Sequence, residues 1–203
     1  MLPKPLHDAA AALDSIPGIG PRAALRYATW LAAQPKEIVK RFARSLDALA
    51  DGMKICPMCG AWTDQLVCDI CADPRRDETK LCVVATSQDV RVIEDSGAFH
   101  GRYYVLGGVI DPIEGKRPDT LNVDGLIRRL ATPKLVETIL ALDPDVAGDT
   151  TAMYLTKKIH ESTMSIQITR LARGIQHGAQ IEYADGTTIA DALANRKILF
   201  PHE

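Results

Sequence analysis

Cys56-Pro57-Met58-Cys59-Gly60 and, after eight residues that follow Cys59, Cys68-Asp69-Ile70-Cys71 separate two differently patterned parts of the chain. Each CxxC places two thiols on one side of a tight turn, and two such turns complete the tetrahedral four-sulfur shell that zinc accepts. Pro57 and Gly60 suit the knuckle. Four thiolates fill the shell and leave no position for water, so the spacing predicts a structural zinc held by Cys56, Cys59, Cys68 and Cys71. An iron–sulfur cluster is the competing occupant, while two matched pairs argue against unrelated thiols or a redox CxxC. Residues 55–76 have little apolar pattern of their own and are expected to need the ligand in order to fold. Cys82, eleven residues beyond Cys71, begins a buried-looking strand and reads as an inert core thiol.

Upstream of the cysteines the pattern is helical. Apolar residues recur at helical spacing through Ala23, Leu25, Tyr27, Ala28, Trp30 and Leu31, and again through Ile38, Val39, Phe42, Leu46 and Leu49. Pro17-Gly18-Ile19-Gly20-Pro21 interrupts them. Downstream, short β-rich runs alternate with longer helical ones, the signature of a parallel βαβ sheet. Strands are predicted at 81–85, 103–106, 137–142 and 165–170, with helices at 88–96, 123–130 and 150–160 between them. The Gly/Pro-rich stretch 107–118 reads as a loop, and 181–200 as a further strand and short helix. The fold class is therefore α+β in several modules: a helical hairpin region at 1–54, a cysteine module at 55–76, an α/β sheet domain at 80–175 and a closing segment at 176–203.

Composition bounds the function. The 203 residues are 46% hydrophobic, enough for a globular core. There is neither a signal-peptide pattern at the start nor an apolar run of membrane-spanning length, so the expected location is the cytoplasm, where paired cysteines stay reduced as metal ligands. The first 55 residues carry eight Lys and Arg against five Asp and Glu, a net +3, which leaves −5 for the rest of a chain of net charge −2. Any contact with a polyanion is then confined to a patch, and such a skew by itself is also what ordinary solvated surface looks like.

Two further stretches carry chemistry. In Ile16-Pro17-Gly18-Ile19-Gly20-Pro21-Arg22, Gly18 and Gly20 permit close backbone approach to a ligand, and the N-terminus of the helix that follows favours a phosphate. Arg22 and Arg26, at i and i+4, share one face of that helix and can grip the same strand of DNA. The plain alternative is a turn between packed helices. In Leu142-Asp143-Pro144-Asp145-Val146-Ala147-Gly148-Asp149, at a strand-to-helix junction, the carboxylates suit Mg²⁺ at the carboxyl edge of a parallel sheet. They equally suit a helix start, where aspartates complement the dipole.

Taken in order, the hairpin, the CxxC pairs, Cys82-Val83-Val84, Gly101-Arg102-Tyr103-Tyr104-Val105-Leu106-Gly107-Gly108 and the 143–149 junction resemble the RecR family of recombination mediators almost end to end. Thr169-Arg170-Leu171-Ala172-Arg173-Gly174 and Ile181-Glu182-Tyr183-Ala184-Asp185 resemble that family's closing segment. The resemblance implies a helix-hairpin-helix, a zinc module, a Toprim domain and a C-terminal segment, assembled as a homo-oligomeric dimer or tetramer ring on DNA. It also implies sequence-independent DNA binding, RecO-type and RecF-type partners that help load recombinase, and no catalysis. The chain departs from the pattern at Ala85, where Toprim enzymes carry a glutamate, and at Ala147 and Ala179. Asp143 and Asp145 are closer to the enzyme type of Toprim than to RecR. The leading expectation is a non-catalytic mediator in which Asp143, Asp145 and Asp149 meet basic partners. The alternatives are a Mg²⁺-dependent Toprim nuclease, primase or topoisomerase, and a zinc-braced adaptor that binds only protein.

Overall fold

The computed structural model describes residues 2–162 and 165–199. The chain divides into two compact units, Met1–Met53 and Lys54–Glu203. Among the described residues no helix is long and apolar enough to cross a membrane.

The first unit is three helices, α1 (Lys4–Asp14), α2 (Pro21–Ala32) and α3 (Lys36–Gly52). Pro21 occupies the first helical position of α2, where a missing N–H costs nothing, and Gly20 caps it in an extended conformation. Helices α1 and α2 pack on each other. The only fully buried side chains in these helices are Ala24 and Ala28, on one stripe of α2. The apolar residues that make the helical pattern legible, Leu25, Tyr27, Trp30, Ile38, Phe42, Leu46 and Leu49, all remain exposed. Some of them line an open groove of about 570 Å³ between the helices, shared by Trp30, Leu31, Ile38 and Phe42. Helical period identifies the face a helix intends to bury. It does not guarantee that a short unit has enough chain to cover it.

The second unit is built on a parallel sheet of four strands in the order β4-β3-β5-β6: β3 (Asp77–Val84), β4 (Gly101–Val105), β5 (Glu137–Ala141) and β6 (Gln167–Arg170). Helices α5 (Ser87–Asp95), α6 (Val123–Leu130) and α7 (Val146–Glu161) connect them, which is the βαβ alternation expected from the sequence. Thr86 starts α5 by donating both its amide and its hydroxyl to the Asp89 carboxylate. Side chains alternate along β3, so Leu81 and Val83 join one core while Cys82 and Val84 join the other. The first core packs against Leu126, Leu130, Leu155 and Ile159 of α6 and α7.

The second core is filled by α5 and by the cysteine module, which consists of a two-stranded ribbon, β1 (Lys54–Ile55) with β2 (Trp62–Thr63), and a single helical turn, α4 (Asp69–Ala72). Helix α7 begins four residues before the expected 150, because Asp145 caps it by accepting from the Gly148 amide at 2.7 Å. The closing segment forms a 3₁₀ turn at Ile181–Tyr183 and a helix, α8 (Gly186–Ala194), capped by Asp185. The strand expected there is not formed among the described residues. Ile181 and Tyr183 stay exposed and have no neighbouring strand to pair with, and the Asp185 cap turns the chain into helix. Position 200, where that expected segment ended, lies outside the described residues.

Candidate metal centre and nucleic-acid interface

The thiols of Cys56, Cys59, Cys68 and Cys71 lie within 4.8 Å of one another and all four residues are buried. Adjacent sulfurs of a tetrahedral zinc shell stand about 3.8 Å apart, and Cys59 Sγ and Cys68 Sγ are 3.5 Å apart. The donor set therefore fits one metal ion of that geometry. No other group of three or more metal-capable side chains occurs among the described residues. Cys82 packs in the same core but stands outside the thiol group, and burial pushes its thiol up to about 12.

The local folding that gathers the thiols is simple. Gly60 adopts φ +76°, and its amide donates to Cys56 O while the Cys56 amide donates to Ala61 O. A Cβ at Gly60 would stand 2.9 Å from Val105 O, so the position needs glycine for its conformation and for its packing. The module is joined to the sheet by the Val105 amide, which donates to Cys59 O at 2.7 Å, and by the Trp62 amide, which donates to Ser87 Oγ at 3.0 Å.

Arg102, only 6% exposed as the second residue of β4, donates from Nη1 to Ile70 O at 2.8 Å and Cys71 O at 2.6 Å, and its Nη2 faces Glu78 at 3.5 Å. This ties the second knuckle to the strand. Sequence reasoning missed it, although an arginine inside the apolar run of residues 101–106 is a visible anomaly.

The electrostatics of the thiols differ. Burial acts upward on Cys56, but the backbone N–H groups of Cys68, Met58 and Cys59 outweigh it and bring the thiol down to about 7. The hydrogen bond with Cys71, together with burial, pushes Cys59 up, and burial pushes Cys68 up to about 11. Buried thiols this crowded cannot all ionise without a cation among them.

At the 17–21 turn, Gly18 has φ +84°, and neither it nor Gly20 has any atom within 4 Å of where a Cβ would stand. The first helical hydrogen bond runs from the Ala24 amide to Gly20 O. The amides of Arg22 and Ala23 are thus left at the mouth of α2, where a helix offers its positive end. Arg22 and Arg26 are both exposed. Arg26 lies over the Tyr27 ring, 5.1 Å from its centroid, with Nη2 3.5 Å from the phenol oxygen.

The acidic edge is less uniform than its sequence. Strand order places the ends of β3 and β5 at the point where successive connections run in opposite directions, the usual ligand position of such sheets. Asp143 is exposed there, Asp145 is engaged as the α7 cap, and Asp149 is gripped by Arg170 (2.7 Å) and Arg173. The Arg173 contact, followed by that of Arg170, holds the Asp149 carboxyl below its ordinary value. Gly148 must be glycine, since a Cβ would stand 2.0 Å from Asp143 O. Neither arginine was anticipated as a partner of Asp149, because 21 or more residues of chain separate them from it.

Residues 79–172 match the Toprim domain model, and residues 177–197 match the model described as RecR, C-terminal. Over 194 residues the chain is 42% identical to the recombination protein RecR of Acidothermus cellulolyticus, covering 96% of each chain. Its likeness to the recombination proteins RecR of Thermobifida fusca (42%, covering 92% of this chain and 93% of that one) and Myxococcus xanthus (39%, covering 98% and 100%) is comparable.

Proposed function

The chain belongs to the RecR family of recombination proteins, and from that premise we propose that it serves recombination and repair as a non-catalytic mediator that holds DNA without reading its sequence. The observation that carries this reading is the open 17–21 turn, whose glycines leave free space above the backbone beside exposed Arg22 and Arg26. Backbone amides and guanidiniums of this kind contact phosphates, which are alike in every sequence.

Zinc is the metal that suits four buried thiolates, and its role is to complete the fold of the module, since the shell has no open position for chemistry. Cys56, Cys59, Cys68 and Cys71 would hold it, which would join the two knuckles that Val105 and Arg102 already tie to β4. One chain offers few phosphate contacts, so useful affinity requires several chains around one DNA, where linked sites raise the effective concentration. The uncovered apolar face of the first unit supports such self-assembly into a dimer or tetramer ring. Asp143, with Asp145 and Asp149 behind it, is the edge assigned to RecO-type and RecF-type partners, and the cytoplasm is the assigned compartment.

The enzyme alternative is disfavoured by the same edge. Ala85 supplies no carboxylate at the end of β3, Asp145 is committed to a helix cap and Asp149 to two arginines. Titration of duplex and single-stranded DNA at two salt concentrations, with the mass of the assembly measured in parallel, tests the proposal. Steep salt dependence and an oligomer are expected. Metal-dependent turnover of DNA that disappears in Asp143→Asn would establish the enzyme instead.

A further inference from the structure

A second cationic site lies far along the sequence from the hairpin. Between the cysteine module and α6 there is a cleft of about 390 Å³, walled on one side by Ile55, Cys56, Pro57 and Met58 and on the other by Arg128 and Arg129. No carboxylate lines it. Arg128 is exposed and Arg129 half-buried. Among the described residues neither guanidinium forms an ion pair or a side-chain hydrogen bond. Glu78, whose carboxyl is lowered first by Lys134 and least by Arg129, is already bonded to Lys134 at 2.8 Å and faced by Arg102 at 3.5 Å.

Two arginines in the last turn of α6 complement its dipole, and that alone explains their presence at a helix end. It does not explain a concave wall with two unpaired forks and no counter-charge. A planar, five-donor guanidinium held without a partner in a cleft is suited to a bidentate oxyanion.

The ribbon that supplies Ile55 to the cleft adds a second chemistry. Ile55 pairs with Trp62 across the β1–β2 ribbon, so their side chains share one face, and both are exposed. An exposed indole on the ribbon that walls a cationic groove is a combination suited to single-stranded nucleic acid, the ring stacking a base and the arginines taking the backbone.

We propose that the cleft between the cysteine module and α6 seats a backbone phosphate of single-stranded nucleic acid, with Arg128 and Arg129 as its ligands and Trp62 stacking an adjoining base. The inference rests on the DNA-binding reading above and adds to it a contact separate from the 17–21 turn. It also gives the metal module a purpose beyond bracing, because the module forms one wall of the site and carries the indole.

The test uses the full zinc-loaded chain carrying Trp30→Phe, which leaves Trp62 as the remaining tryptophan of the two in the chain. Titration with oligothymidylate should quench its fluorescence. Arg128→Gln with Arg129→Gln should abolish the quenching, weaken binding at least tenfold, and lower the slope of log affinity against log salt by about 1.4, since each lost single-strand phosphate contact removes about 0.7. Zinc content and thermal midpoint should be unchanged. Should the pair fold poorly, Arg128→Gln alone, at an exposed position, should lower the slope by about 0.7.

Unchanged affinity and slope in a variant of a DNA-binding parent would overturn the cleft and leave the general reading standing. Faster zinc loss with unaltered DNA binding would also overturn it, by assigning the arginines to the charge of the thiolate centre. A parent chain that shows no salt-dependent DNA binding would overturn the general reading and the cleft with it.

Discussion

Gly60 and Gly18 sit in similar turns. Both follow a proline-containing stretch and both adopt positive φ, +76° and +84°. Their surroundings are opposite. A Cβ on Gly60 would press on Val105 O at 2.9 Å, whereas one on Gly18 would meet nothing within 4 Å. The knuckle turn is closed by the sheet beneath it, so its glycine serves packing and its function is structural. The hairpin turn is left open, so the same backbone device remains available to an outside molecule. A glycine turn is thus a candidate binding element where the fold leaves space above it, and a structural one where the fold fills that space.

The comparison breaks most decisively at the metal. Apparent binding energies of structural zinc sites in zinc-finger peptides reach about 10 to 16 kcal/mol at neutral pH, comparable to the entire stability of a domain. Chelation or Cys56→Ser is therefore expected to unfold the cysteine module and loosen the β3–β4 face, read by circular dichroism together with metal analysis. Cys82→Ser, in the same core but outside the thiol group, should retain the metal. A metal-free protein with native circular dichroism would remove the distinction between the two regions.

Next in size is the pair of glycine substitutions. Gly60→Ala combines positive-φ strain with the contact on Val105 O and should cost about 2 to 4 kcal/mol in urea unfolding, against about 1 to 2 kcal/mol for Gly18→Ala, where strain acts alone. Gly18→Ala should also weaken DNA binding, by placing a methyl in the open space. Equal costs at the two sites would mean that the openness of the hairpin has no consequence.

Replacing both Arg22 and Arg26 with Ala should leave stability within about 0.5 kcal/mol, as for exposed positions generally. The salt slope of DNA binding should fall by about one unit per lost contact, with equal loss on all sequences. Wild-type affinity and slope would reduce the hairpin to a plain turn.

The smallest effect concerns pH. The Asp149 carboxyl is held low by Arg173 and Arg170, so the stabilisation is present above the ordinary aspartate range and disappears as pH falls through the lowered value. The group is partly exposed, which keeps the contribution below about 1 kcal/mol. Thermal midpoints of the parent and Asp149→Asn should differ at pH 7 and converge in acid.

Much of this was legible beforehand because it is local. Two CxxC pairs, the β-rich runs at 81–85 and 137–142 and the helix at 123–130 are written in spacings of a few residues, and spacing is what periodicity and turn chemistry report. Asp145 illustrates the boundary. Its place at a strand-to-helix junction was readable, but its capping bond from the Gly148 amide starts the helix four residues before the expected position.

What the sequence determined by itself was the set of thiols, the alternation that builds the sheet and the exposed arginine face of α2. Only the tertiary structure decided that Arg102 would be buried under the second knuckle, that Asp149 would be claimed by Arg170 and Arg173, that Arg128 and Arg129 would line a cleft without a counter-charge, and that the apolar stripes of the first unit would stay open. The reason is range. Backbone geometry and metal-ligand spacing act over a few residues, while the partner of a charge or of an apolar face is chosen by distances in space between segments that the chain brings together only when it folds.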